Sequence, residues 1–157
     1  MVLRITIDTN LINARQKLPE MNTLEEMHKK GLVEIVKTDA MDTEMLNGYK
    51  KGLEKSQQYR EIQGYGVFGH SRYDHAIYSG EDDGGLTQSV VMALFPGKAC
   101  SELSDNDIKD VMHIQAHITN KCDYFITEDK IILDAAELLK KLGVRIRTPS
   151  DLLKDIT

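Results

Sequence analysis

Apolar and polar positions along the chain alternate between two periods. Val2, Leu3, Ile5 and Ile7 form a short apolar run that predicts a buried strand, closed by Asp8-Thr9-Asn10. Thr9 or Asn10 is placed to cap a short helix through Leu11-Ile12. Asn22 followed by Glu25 resembles a capping box, and Gly31 stands where a C-terminal cap belongs, so a helix is expected over 23–30. Leu32 to Val36 then reads as a second strand, and Thr38 or Asp39 starts a helix that runs through Glu44 and Leu46. Ser104 with Asp107 predicts another capped start, ahead of a helical stripe of Ile108, Val111, Met112, Ile114 and Ile118. Asp123 to Ile126 is a strand, 131–142 a helix closed by Gly143, and Val144 to Ile146 a last strand. Thr148-Pro149-Ser150-Asp151 combines an N-cap, a first-position proline and an early acid, a strong helix start. Strands alternating with helices predict a single three-layer α/β/α domain around a central parallel sheet.

The segment at about 57–103 breaks this rhythm. Six of the 11 glycines fall between 64 and 85, and five aromatics (Tyr59, Tyr65, Phe68, Tyr73, Tyr78) crowd the same stretch. It reads as an insertion within the domain, with turns or a hairpin of its own.

At 157 residues the chain is long enough for one sizeable core. No apolar run reaches the roughly 18 residues of a membrane span. Met1 to Ile7 lacks a charged stretch ahead of an apolar core, so no secretion signal is expected. Cys100 and Cys122 are too few for a disulfide framework or a four-cysteine zinc site, and free thiols in a reducing cytoplasm are the simplest reading. The net charge of −5 argues against a protein that merely coats nucleic acid. The charge is uneven, however. Between Met45 and Tyr78 five cations (Lys50, Lys51, Lys55, Arg60, Arg72) face three acids (Glu54, Glu61, Asp74), which gives +2 there and −7 elsewhere.

Chemistry is most concentrated among four acids. Ligands of open parallel sheets bind beyond the carboxyl ends of the strands. Asp8 follows the first strand, and Asp129 comes three residues after the strand ending at Ile126. Glu44 and Asp110 lie early in helices whose N-termini are expected on that same edge. Convergent carboxylates raise each other's pKa, and a cation relieves the repulsion. Hard oxygen donors of this kind suit Mg²⁺ or Mn²⁺, ions that activate water and stabilise a phosphodiester transition state. For any one acid, complementing a helix dipole is the commoner role.

Other candidates carry less. His113 and His117 have the i, i+4 spacing of a zinc pair but lack the glutamate of H-E-x-x-H, since Ile114 follows His113. Asp105 and Asp107 fall at a helix cap. Thr127 either orients a water at the acids or caps the next helix. In the basic, aromatic segment, Arg72, Lys51 and Lys55 are the candidate phosphate contacts, with aromatic rings available for stacking on unpaired bases.

Ile5-Thr6-Ile7-Asp8-Thr9-Asn10 resembles the strand-then-DTN opening of the PIN-domain nucleases. Asp110 to Ala116, followed by Cys122-Asp123-Tyr124-Phe125-Ile126-Thr127-Glu128-Asp129, is similar to that family's second signature: an acid opens a helix, and a strand ends in Thr-x-Asp 19 residues later. Gly143 to Ile146, then Thr148-Pro149, looks like its last strand and helix. The likeness covers 1–46 and 104–157. It implies a metal-dependent ribonuclease that hydrolyses RNA phosphodiester bonds, with Asp8, Glu44, Asp110 and Asp129 as metal-binding, catalytic acids. It also implies an antitoxin protein or a second copy of the chain as partners. A non-catalytic module that meets a protein partner through the acidic rim is the alternative. A phospho-receiver domain ranks behind both, because no clear strand followed by aspartate occurs between 57 and 100.

Overall fold

The computed structural model describes residues 1–8, 11, 18–38, 59–62 and 83–157. Glu44, Lys51, Lys55 and Arg72 lie outside the described residues, as does most of the helix expected after Thr38. Within the described residues, five parallel strands form one sheet with helices on both faces. The strands are β1 (Leu3–Ile7), β2 (Val33–Thr38), β3 (Arg60–Ile62), β4 (Tyr124–Ile126) and β5 (Ile146–Arg147). The helices are α1 (Pro19–Lys29), α2 (Asp83–Leu94), α3 (Asp105–Thr119), α4 (Lys130–Asp134), α5 (Ala136–Lys140) and α6 (Pro149–Ile156).

Strand order is β3-β2-β1-β4-β5. The chain therefore builds outward from β1 through β2 to β3, then returns to the other side of β1 to lay down β4 and β5. The reversal falls between β1 and β4. At such a switch point the connections leave in opposite directions and a crevice opens beyond the carboxyl ends of the two strands.

The period-two pattern of the strands divides two cores between the faces. Ile5, Ile7, Val33, Ile35 and Ile126 pack with Met21 and Leu24 of α1 and Leu152 of α6. Phe125 and Ile146 point the other way, onto Val90, Val91, Ile114, Ile132 and Leu139. Fully burying side chains of this size stabilises the fold by roughly 1.5–3 kcal/mol each.

Helix starts follow local chemistry. Ser104 accepts from the Asp107 N–H at 3.1 Å while Asp107 accepts from the Ser104 N–H at 3.1 Å, the reciprocal box expected from the sequence. Thr148 caps α6 by accepting from the Asp151 N–H, with Pro149 at the first position. The first helix departs from expectation. It starts at Pro19 rather than after Asn22, because the fixed φ of a first-turn proline opens a helix without a capping side chain, and Leu18 supplies none. Gly31, at φ +73°, ends the same helix in the left-handed conformation that glycine adopts without strain. The helix expected over 131–142 is instead two short ones, α4 and α5, parted at Ala135 (φ −89°, ψ 3°).

Two pieces of the 57–103 segment are integral to the sheet's architecture. Arg60 to Ile62 pairs in parallel with Val36 to Thr38 as the edge strand, and Val90, Val91 and Phe95 belong to the second core. No helix among the described residues is long and apolar enough to cross a membrane.

Candidate functional site

The carboxyl edge at the β1/β4 switch point carries a connected pair of acids. Asp8 continues the β1 ladder, its N–H donating to the Ile126 carbonyl at 3.0 Å. Its side chain is nearly enclosed, at 4% exposure. The Thr127 hydroxyl, itself fully buried, donates to Asp8 Oδ2 at 2.9 Å. The same hydroxyl oxygen accepts the Asp129 N–H at 2.9 Å. One threonine thus orients the first acid and fixes the turn that presents the second. Asp129 also has the local role foreseen for an acid at a helix start: its Oδ1 caps α4 by accepting the Ile131 N–H at 2.8 Å.

Asp110 is brought to the same edge by the way α3 lies on the sheet. His117 Nδ1 shares a 2.9 Å hydrogen bond with Thr6 Oγ1, and one turn earlier His113 Nδ1 bonds Thr38 Oγ1. Thr6 is level with Val36 across the β1/β2 ladder, so the step from His117 to His113 climbs toward the strands' carboxyl ends. Asp110, three residues before His113, continues that helical face one turn further up. Asp105 and Asp107 belong to the cap of α3 rather than to this face.

The two histidines therefore do not form a zinc pair; each ring is held by a different strand. Both are 1% exposed. Burial pushes the His117 imidazole down to about 4, with Asp123 acting against it. Its Nε2 has no hydrogen-bond partner, a neutral ring edge in the core against Phe125. Burial likewise raises the Cys122 thiol above its ordinary value, with the Thr6 hydroxyl pulling it back, which marks an inert, packed thiol.

Sequence reasoning gave Thr6 and Lys37 no role in the site and took Thr38 as a possible helix start, whereas Thr38 ends β2. Lys37 is a nearly buried cation, 6% exposed, at the carboxyl end of β2 beside Thr38. The signal was present in V-E-I-V-K-T: Lys37 shares the strand parity of buried Val33 and Ile35. The threonines share the parity of the face on which α3 packs.

Carboxylate oxygens beside a buried hydroxyl are a hard donor set suited to Mg²⁺ or Mn²⁺, which are commonly held by one or two carboxylates with water completing the shell. Among the described residues, no group of three His, Cys, Asp or Glu side chains forms a metal cage by itself. A hydrated ion on Asp8 and Asp129 is the arrangement these residues fit.

Fold and site together define a doubly wound α/β domain with a buried aspartate at its switch point. Comparison of the chain with family models, curated proteins and solved structures gives no match.

Proposed function

We propose that this protein is a metal-dependent ribonuclease of the PIN type. The observation that carries the reading is Asp8, enclosed at the β1/β4 switch point with its carboxylate fixed by Thr127, which also anchors Asp129. A carboxylate held in so dry a place gains from a cation beside it, since removal from water disfavours the bare charge. A bound Mg²⁺ or Mn²⁺ would supply Lewis-acid stabilisation and an activated water. The chain's own residues do the rest. Thr127 locks the rotamer of Asp8, Asp129 offers a second carboxylate, and the Thr38–His113 and Thr6–His117 bonds hold α3 so that Asp110 overlooks the same rim. Hydrolysis breaks one phosphorus–oxygen ester bond, the hydroxide of water going to phosphorus and its proton to the departing oxygen. Glu44 as a fourth acid, Arg72, Lys51 and Lys55 as RNA contacts, a cytoplasmic setting, and an antitoxin or homodimer partner belong to the same proposal through the resemblance.

Asp8→Asn preserves shape while removing one charge and one good ligand. Cleavage of single-stranded RNA in Mn²⁺ is expected to fall by at least a hundredfold, with the fold intact by circular dichroism. Full cleavage by the Asn variant would remove Asp8 from the reaction. A parent protein that never cleaves RNA in any divalent metal, yet binds a protein partner through the rim, favours the non-catalytic alternative.

A further inference from the structure

The sheet ends at β5, and its open edge is not bland. A pocket of about 350 Å³ lies there, lined by Tyr124, Lys140, Arg145 and Arg147, with Glu137 as the opposing charge. Three cations against one acid give a local excess of two positive charges in a chain whose net charge is −5. Arg147 is fixed: its Nε donates to Asp155 at 2.7 Å, and a terminal nitrogen donates to the Ile146 carbonyl at 2.9 Å. Arg145 and Lys140 are exposed and enter no ion pair among the described residues.

Both guanidinium carbons lie over the Tyr124 ring, at 5.9 Å for Arg145 and 6.0 Å for Arg147. An arginine resting on an aromatic face is oriented by it while the edge of its donor fork stays open to an anion. That fork matches phosphate oxygens bidentately. Here two are left unpaired and a third is pinned, around one concavity.

The pocket begins at Tyr124, at the amino end of β4, and the acids lie just beyond its carboxyl end. Tyr124 and Thr127 are separated by about 10 Å of strand, at roughly 3.3 Å per residue. The Thr127 N–H donates to the Arg147 carbonyl at 3.0 Å, so the two sites share a hydrogen-bonded pair of strands. A few nucleotides of extended single strand would span that distance.

We infer that the pocket of Tyr124, Lys140, Arg145 and Arg147 is a subsite for the phosphodiester backbone of single-stranded RNA as it passes the acid rim. The choice of RNA as the anion rests on the ribonuclease reading; the demand for an anion rests on the pocket alone. The test is fluorescence anisotropy with a labelled 12-nucleotide RNA in EDTA, across graded salt, for the parent and a Lys140→Ala/Arg145→Ala variant. Loss of two phosphate contacts is expected to weaken binding at least tenfold and to lower the salt slope by about 1.4, at roughly 0.7 per contact on a single strand. Arg145→Lys, which keeps the charge, is expected to recover part of the affinity. Turnover of a dinucleotide, whose single phosphodiester is the bond cut and leaves no second phosphate for the pocket, is expected to stay at the parent rate in Mn²⁺. Equal affinity and equal slope in parent and double variant would overturn the subsite while leaving the hydrolase reading standing. A parent that binds RNA in this pocket but cuts none would overturn the hydrolase reading alone. A mononucleotide competing as well as the 12-mer would make this a nucleotide pocket and overturn the RNA track.

Discussion

The two faces of the sheet both bury apolar cores, but the α3 face adds buried hydroxyl–imidazole pairs. Against α1 and α6, β1, β2 and β4 present Ile5, Ile7, Val33, Ile35 and Ile126 to Met21, Leu24 and Leu152. Against α3, β1 and β2 present Thr6 and Thr38 to His117 and His113, with Phe125 beside them. Apolar contacts hold a helix firmly but define its height along the strands only through packing. A hydroxyl–imidazole pair is directional, and two of them one turn apart fix both rotation and height. The polar face is the one whose helix carries Asp110 to the rim. Both sides of the sheet bury an apolar core, and the directional bonds that set the height of α3 are added on one of them.

Truncating the apolar face is expected to have the largest effect on stability. Leu24→Ala removes a fully buried side chain, and a loss of about 2–5 kcal/mol is expected in chemical denaturation. If the division of labour holds, the surviving folded protein retains its rate per folded molecule.

The polar face should announce itself through pH. His117 has a folded pKa near 4 against 6.5 for a free imidazole. Above pH 6.5 the ring is neutral in both states and the fold keeps its full stability. Between pH 6.5 and 4 the unfolded chain takes up a proton that the folded one refuses, so stability falls. Below pH 4 both states are protonated and the dependence levels off. The total loss is on the order of 3 kcal/mol. His117→Leu is expected to flatten this window in denaturation measured at several pH values, whereas Leu24→Ala lowers the curve without changing its slope.

Thr127→Val is a smaller cut at the rim itself. It removes the donor to Asp8 and the acceptor for the Asp129 N–H, for a stability cost of about 1–3 kcal/mol. Here the comparison sharpens: the rate per folded molecule is expected to drop at least tenfold, unlike Leu24→Ala. The smallest effect is expected at Glu34, which bonds Arg4 at 3.0 Å and Arg60 at 2.8 Å on the outer part of β2. The Arg60 hydrogen bond foremost holds its carboxyl below the ordinary range. Glu34→Gln is expected to cost no more than about 1 kcal/mol, because exposed ion pairs are screened.

The same contrast explains what was legible in the sequence. The parallel α/β domain followed from apolar runs, and the caps at Ser104 and Thr148 from residue types with one dominant local use. Asp8 and Asp129 were placed on one edge because both follow strands, which topology orders. The start at Pro19 was missed because the side-chain pattern of Asn22 and Glu25 outweighed a backbone constraint that acts without any side-chain bond. The break at Ala135 has no Gly or Pro to mark it. The threonine–histidine pairs join residues 75 and 111 apart, and no local period reports a contact of that range. Hydropathy alone cannot tell a satisfied buried threonine from an exposed one.

Manganese binding at the rim tests the central claim most directly. Titration of Mn²⁺ followed by electron paramagnetic resonance, on the parent and on Asp8→Asn, reads occupancy without depending on any RNA. The account expects the parent to take up the ion and Asp8→Asn to bind it at least tenfold more weakly. Asp123→Asn, before β4 at the opposite end of the strands, where its carboxylate accepts the Arg4 N–H, is expected to match the parent. Equal Mn²⁺ affinity in the parent and Asp8→Asn would contradict the account.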